Sequence, residues 1–130
     1  MNIPADLFYA SSDEWTKVDG NTAIVGITDY AQDQLSDVVF IEFIVGAGET
    51  VKKGQQIATV ESVKAAADIN APVSGTVTAV NEDLAQSPEL VNKDPFGQAW
   101  MLRIEMSDPS ETSQLMDAEA YAKNCEERSH

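Results

Sequence analysis

The chain has 130 residues, with eight lysines and arginines against 22 acidic residues and a formal net charge of −14. That length suits one folded domain with a single modest core. The charge argues against nucleic acid and an anionic membrane surface as partners, because both call for a basic face; it favours solubility and partners with basic patches.

The N-terminal stretch "MNIPADLFYASSDEW" has neither the basic n-region and apolar core of a secretory signal nor the arginines of a transit peptide. No apolar run approaches the length of a membrane span. The expected location is the cytoplasm, or the mitochondrial matrix for a mature chain whose targeting segment is gone. The sole cysteine, Cys125, rules out an intramolecular disulfide, as expected in a reducing compartment. Its neighbours Asn124 and Glu126 do nothing to activate a thiol, so it reads as an incidental tail residue.

Strand signals dominate residues 7 to 80. "TAIVGIT" (22–28) is β-branched and follows "VDGN", a hairpin turn around Gly20. "DYAQDQLSD" (29–37) reads as a short helix capped by Asp29, with Gln32 three residues on, as a capping box requires. "VVFIEFIV" (38–45) is a nearly continuous apolar strand stopped by "GAGE". "QQIATVES" and "GTVTAVN" follow as further strands. Asn81 then reads as the N-cap of helical turns over 81–98, with Pro88 opening a second turn. "AWMLRIEM" (99–106) alternates, placing Trp100, Leu102, Ile104 and Met106 on one face. The tail is helical, with Leu115, Met116, Ala120 and Tyr121 at near-helical spacing, and frays beyond about residue 126.

"GETVKKGQQIATVES" and "AAADINAPVSGTVTAV" share a plan: a glycine-containing turn, then an alternating strand. Two such halves joined at a lysine turn describe a flattened, mainly β sandwich with quasi-two-fold symmetry, short helices and a C-terminal helix. It is expected to be one domain over residues 1–130, with its core at about 7–106 and the helical tail at about 108–127.

The inventory for catalysis is thin. The sole histidine is His130, the last residue, so no nucleophile has a credible base. No cysteine or histidine spacing suits a metal. "VGAGET" (45–50) lacks the phosphate-loop pattern and reads as a turn. Asp13 and Glu14 are adjacent in an extended segment and face opposite sides, so they do not form an acid/base pair. What remains is Lys64, in "ESVKAAAD" (61–68). A turn lysine is ordinarily just solvated, but this one sits at a hairpin tip. Val63 precedes it, and Ala65, Ala66 and Ala67 leave room for a large enzyme to approach. Glu61 and Asp68 stand where the feet of the turn would be. One presented lysine in a chain without catalytic groups points to a carrier, the chemistry belonging to something attached.

At these residues the chain resembles the H-protein family of the glycine cleavage system, within the lipoyl/biotinyl carrier superfamily. The likeness runs from about Tyr9 to Tyr121 through "GITDYAQ", "ESVKAAAD", "APVSGTV" and "PELVNKDPFGQAWMLRI". Val63 and Ala65 stand where biotin carriers have methionines, which counts against biotin. The resemblance implies a lipoyl-domain-like barrel-sandwich hybrid and a covalent lipoic acid in amide linkage to Lys64, with Glu61, Ser62, Val63 and Ala65 forming the modification turn. It implies a non-catalytic, monomeric carrier and four partners: a pyridoxal-phosphate glycine decarboxylase, a tetrahydrofolate-dependent aminomethyltransferase, dihydrolipoamide dehydrogenase and a lipoate-attaching enzyme. By position, Ser12, Glu14, Ile27, Gln34 and Asp68 match a cleft that shelters the arm. Two positions depart from the family pattern: Asp13 replaces the histidine of a usual His-Glu-Trp, and Gln34 stands where some members carry histidine. The alternatives are an H-like carrier of another pathway, such as bacterial sulfur oxidation with heterodisulfide-reductase-like enzymes, or an interaction module that is never lipoylated.

Overall fold

A computed structural model of the chain describes residues 1–128. Its strands are β1 (Phe8–Tyr9), β2 (Glu14–Asp19), β3 (Thr22–Ile27), β4 (Val38–Phe43), β5 (Thr50–Val51), β6 (Gln56–Ser62), β7 (Ala66–Asn70), β8 (Gly75–Val80) and β9 (Leu102–Met106). They form two sheets, one ordered β1-β2-β3-β9-β8-β5 and the other β4-β6-β7. Every pairing is antiparallel. The helices are α1 (Asp29–Leu35), α2 (Glu82–Gln86), α3 (Leu90–Lys93) and α4 (Ala118–Arg128), with a 3-10 turn over Pro109–Gln114. The mainly β sandwich expected from the sequence is the fold found.

Local chemistry explains the strand edges. Asp19 pairs with Thr22, so β2 and β3 join through Gly20-Asn21 alone. Gly20 takes φ +62° at the first central position, where tight hairpin turns favour glycine. In β9, Leu102, Ile104 and Met106 are buried while Arg103 and Glu105 face solvent. The expected start of that strand is corrected: Trp100 lies before β9 and stacks under the Arg103 guanidinium at 4.5 Å, while Met101 goes into the core.

The two similar segments around Lys64 pair with each other. β6 pairs with β7 in one sheet and β5 pairs with β8 in the other, so each segment crosses between the layers. Between the sheets lies the main core, including Val25, Ile41, Ile57, Val60, Val77, Leu102 and Ile104. Burying an aliphatic side chain of this size contributes about 1.5–3 kcal/mol before conformational entropy is counted.

A second apolar cluster corrects the reading of the tail. Tyr9, Trp15, Tyr30, Tyr121 and Cys125 pack together, with Cys125 only 1% exposed. Tyr9 and Tyr121 stack at 4.7 Å. Cys125 is therefore a core residue: Tyr121 and Cys125 are four apart on α4 and share its buried face. α4 also continues to Arg128, past the point where fraying was expected, because Arg128 is tied to Asp13.

One cap falls on a different residue than expected, and the other, Asn81, keeps its N-cap position but spends its side chain elsewhere. Thr28, not Asp29, caps α1, its hydroxyl accepting the Ala31 amide at 3.1 Å. Asp29 instead accepts from the Gln32 side chain. Asn81 makes no side-chain cap for α2; its amide donates to the carbonyls of Gln98 and Trp100.

Candidate functional site

Lys64 lies at the tip of the β6–β7 hairpin. The Ser62 amide donates to the Ala65 carbonyl at 2.7 Å, leaving Val63 and Lys64 as the turn residues. Two-residue hairpin loops usually need positive φ, yet neither Val63 nor Lys64 has it. Ser62 compensates: its hydroxyl accepts the amides of Lys64 (3.3 Å) and Ala65 (3.0 Å) and donates to the Ala65 carbonyl at 3.1 Å. The Val63 amide donates to the Asp37 carbonyl, anchoring the tip to the segment before β4.

The anchor is firm and its side chains are open. Lys64, Ala65 and Ala66 are exposed, and Val63 is 76% exposed. Among the described residues, no hydrogen bond or ion pair engages the Lys64 ammonium. Glu61 pairs across from Ala66, beside the tip; Asp68 stands opposite Thr59, farther down the same exposed face. Asp68 accepts from the Gln56 side chain at 3.0 Å.

β7 is an edge strand, and its outer flank opens on a cleft of about 150 Å³. Ala67, Asp68 and Ile69 form one wall, beginning roughly 10 Å from Lys64 at strand rise. Ser12, Asp13, Ile27 and Gln34 form the other. Four of the five residues that the family resemblance implies for a cleft thus line one space. The fifth, Glu14, lies behind them. It is fully buried and lines an adjoining cavity of about 250 Å³ with Tyr9, Lys53 and Asn70. Ser12 borders both spaces and donates its hydroxyl to Glu14 Oε1.

Burial dominates the electrostatics of Glu14, pushing its carboxyl from the usual 4.5 to about 7. The Ser12 hydroxyl and the Asn70 amide, which donates to Oε2 at 3.1 Å, oppose that rise, and the Asp13 charge adds to it. Burial thus brings the Glu14 carboxyl from the ordinary carboxylate range close to neutrality.

The two departures from the expected pattern have distinct places. Gln34 is exposed on α1 at the cleft rim. Asp13 turns away from Glu14 and binds Arg128 and Tyr121 of α4. Sequence reasoning missed this link, which joins positions 115 residues apart. The one local signal for it was the Tyr121/Cys125 spacing that marks a buried helix face. His130 lies outside the described residues.

The sequence pattern of the family described as "Glycine cleavage H-protein" matches residues 7–128. The chain belongs to that family. It is 53% identical over 122 residues to the mitochondrial glycine cleavage system H protein 2 of Arabidopsis thaliana, covering 94% of this chain and 78% of that one. It is 50% identical over 125 residues to the glycine cleavage system H protein of Carboxydothermus hydrogenoformans, covering 96% and 95%. The crystal structure of the H protein from Mycobacterium marinum superposes with a TM-score of 0.84 at 33% identity, covering 93% of this chain and 97% of that one. Among the described residues, no helix is long and apolar enough to cross a membrane.

Proposed function

We propose that this H-family protein is a non-catalytic, single-domain carrier whose Lys64 holds a lipoyl group in amide linkage. The observation that carries the reading is the exposed ammonium of Lys64, unengaged at the end of a hairpin whose backbone is pinned by Ser62. The residues present fit such a group. The alanines beside Lys64 leave the amine open to an attaching enzyme, and acylation there disturbs no existing contact. When bound, the group supplies a dithiolane able to take up an aminomethyl unit and two electrons.

The chain's own residues supply a rigid anchor and a shelter. Ser62 and the Asp37 carbonyl fix the tip, so reach comes from the arm while the scaffold stays put. The arm's freedom makes each visit to a docked enzyme effectively intramolecular, raising local concentration without strong binding. Ser12, Ile27, Gln34 and Asp68 wall the resting place, and Glu14, reached past Ser12, holds an amine by a charge-assisted hydrogen bond. In this role the protein carries the aminomethyl group from the pyridoxal-phosphate glycine decarboxylase to the tetrahydrofolate-dependent aminomethyltransferase, and electrons to dihydrolipoamide dehydrogenase. Transient docking with each suits a monomer of strongly acidic surface.

Intact mass after coexpression with a lipoate ligase tests the attachment. The expected result is a gain of one lipoyl group, abolished by Lys64→Arg; no gain would leave only an interaction module. Glycine-dependent CO2 exchange with the decarboxylase then tests the pathway. A lipoylated chain that fails to support exchange would belong to another lipoyl-dependent route.

A further inference from the structure

The C-terminal helix reaches the arm cleft through Asp13. Asp13 adopts φ +77°, a conformation that aspartate tolerates better than most residues. Arg128 grips its carboxylate with both terminal nitrogens, Nη1 to Oδ2 at 3.1 Å and Nη2 to Oδ1 at 2.5 Å. The Tyr121 hydroxyl donates to Oδ1 at 2.9 Å. That uses the only hydroxyl proton of Tyr121, so Thr28 must donate to Tyr121 across their 2.6 Å contact. Thr28 in turn accepts the Ala31 amide. A directed chain of donors thus runs from α1 through Thr28 and Tyr121 to Asp13, and Arg128 closes it. Arg128 is itself seated over the Tyr30 ring at 4.6 Å.

We propose that Arg128 is a positioning residue of the cleft: by occupying and neutralising Asp13, it leaves Glu14 as the carboxylate that receives the amine carried by the arm. The identity of that amine rests on the carrier reading; the electrostatic part does not. Asp13 lines the cleft, and its side chain is 19% exposed. Left bare, it would be an anion easier to reach than the buried Glu14, and would draw an ammonium to a wetter place where hydrolysis is not suppressed. Paired with Arg128 and bonded to Tyr121, its two oxygens are taken by three donors. The other charged or titratable groups around Glu14 are Tyr9 and Lys53 across the larger cavity and Asp68 on the cleft wall. Of the carboxylates near Glu14, Asp13 is the one held by a cation among the described residues. The coupling is local to this chain's Asp13–Arg128 pair.

The decisive measurement is a carbon-13 titration of the Glu14 carboxyl in the unlipoylated full chain. Arg128→Gln exposes the charge of Asp13 to Glu14 and should raise the Glu14 midpoint by on the order of half a unit. Arg128→Lys should restore it, and Asp13→Asn, which keeps the cation and removes the anion, should lower it. An unchanged midpoint in Arg128→Gln with α4 still folded overturns the proposal. Should that variant lose α4, an unchanged midpoint in Asp13→Asn overturns it instead. In protein carrying the aminomethylated arm, Arg128→Gln should hydrolyse several-fold faster, with rescue by Arg128→Lys; equal rates would refute the steering. Failure to lipoylate the chain would sink the carrier reading while leaving the titration result standing.

Discussion

Glu14 and Asn70 join the two sheets: the buried carboxylate of Glu14 in β2 accepts the backbone amide of Asn70 in β7 at 3.1 Å, across 56 residues of sequence. The same carboxyl sits at about 7, so folding raises its pKa above the unfolded value. The native state therefore binds the proton more tightly than the unfolded chain does. Its stabilising contribution is complete below about pH 4.5 and is lost as pH rises through about 7. The difference across that window is at most about 3 kcal/mol. Denaturant unfolding at pH 5 and pH 8 should show wild type losing stability over this range. The repulsion among the many other carboxylates acts in both proteins, so the comparison with Glu14→Gln isolates this group. Parallel profiles for the two proteins would show that Glu14 is not the titrating residue.

The tip of the lysine hairpin depends on one hydroxyl. Ser62→Ala removes the acceptor for the Lys64 and Ala65 amides and the donor to the Ala65 carbonyl. These groups are exposed and turn to water, so global stability should fall by only about 0.5–1 kcal/mol. The local effect should be larger: amide exchange at Lys64 and Ala65 should quicken well beyond that of β6. Lipoylation should slow if the attaching enzyme reads a fixed turn. Unaltered exchange at both amides would mean the turn is held by the strands alone.

The readable parts of this chain are those whose physics is local. The hairpin tip announces itself within eight residues, because a lysine beside three alanines between two strand patterns is a property of neighbours. The strand alternation of Leu102, Ile104 and Met106 is equally local. The cleft is not: Ser12, Ile27, Gln34 and Asp68 come from four segments and share no pattern, so only family resemblance brought them together. The caps show a finer limit. Thr28 and Asp29 are both good cap residues, and choosing between them requires knowing that Thr28 also meets Tyr121, 93 positions away. Asp13 was visible as a departure, but its partner Arg128 was assigned to a fraying tail.

Two glycines should respond differently to alanine. At Gly75 a Cβ would stand 2.0 Å from the Glu105 carbonyl oxygen, a backbone atom fixed by the β8–β9 ladder. At Gly20 a Cβ would meet nothing within 4 Å, and only the positive φ disfavours it. Gly75→Ala should therefore destabilise by about 3 kcal/mol or more, against about 1 kcal/mol for Gly20→Ala. Thermal melts of the two variants check this, and equal losses would place the cost in backbone conformation alone.

Asn81 gives the sharpest test of a side chain's role: it stands at the N-cap position of α2, as the sequence predicts, yet makes no capping hydrogen bond there. As a helix cap, its replacement by aspartate or serine would be mild, since both cap well. In the structure its side-chain amide is a donor, reaching the carbonyls of Gln98 (2.9 Å) and Trp100 (2.8 Å) from a site only 7% exposed. Aspartate presents two acceptors to those two carbonyls and should be worse than alanine, which merely leaves them unpaired. Asn81→Ala should cost about 2 kcal/mol and Asn81→Asp more, the excess growing as pH rises and the carboxylate ionises. Denaturation midpoints for the two variants at pH 5 and pH 8 decide between the roles. Aspartate matching wild type would restore the cap.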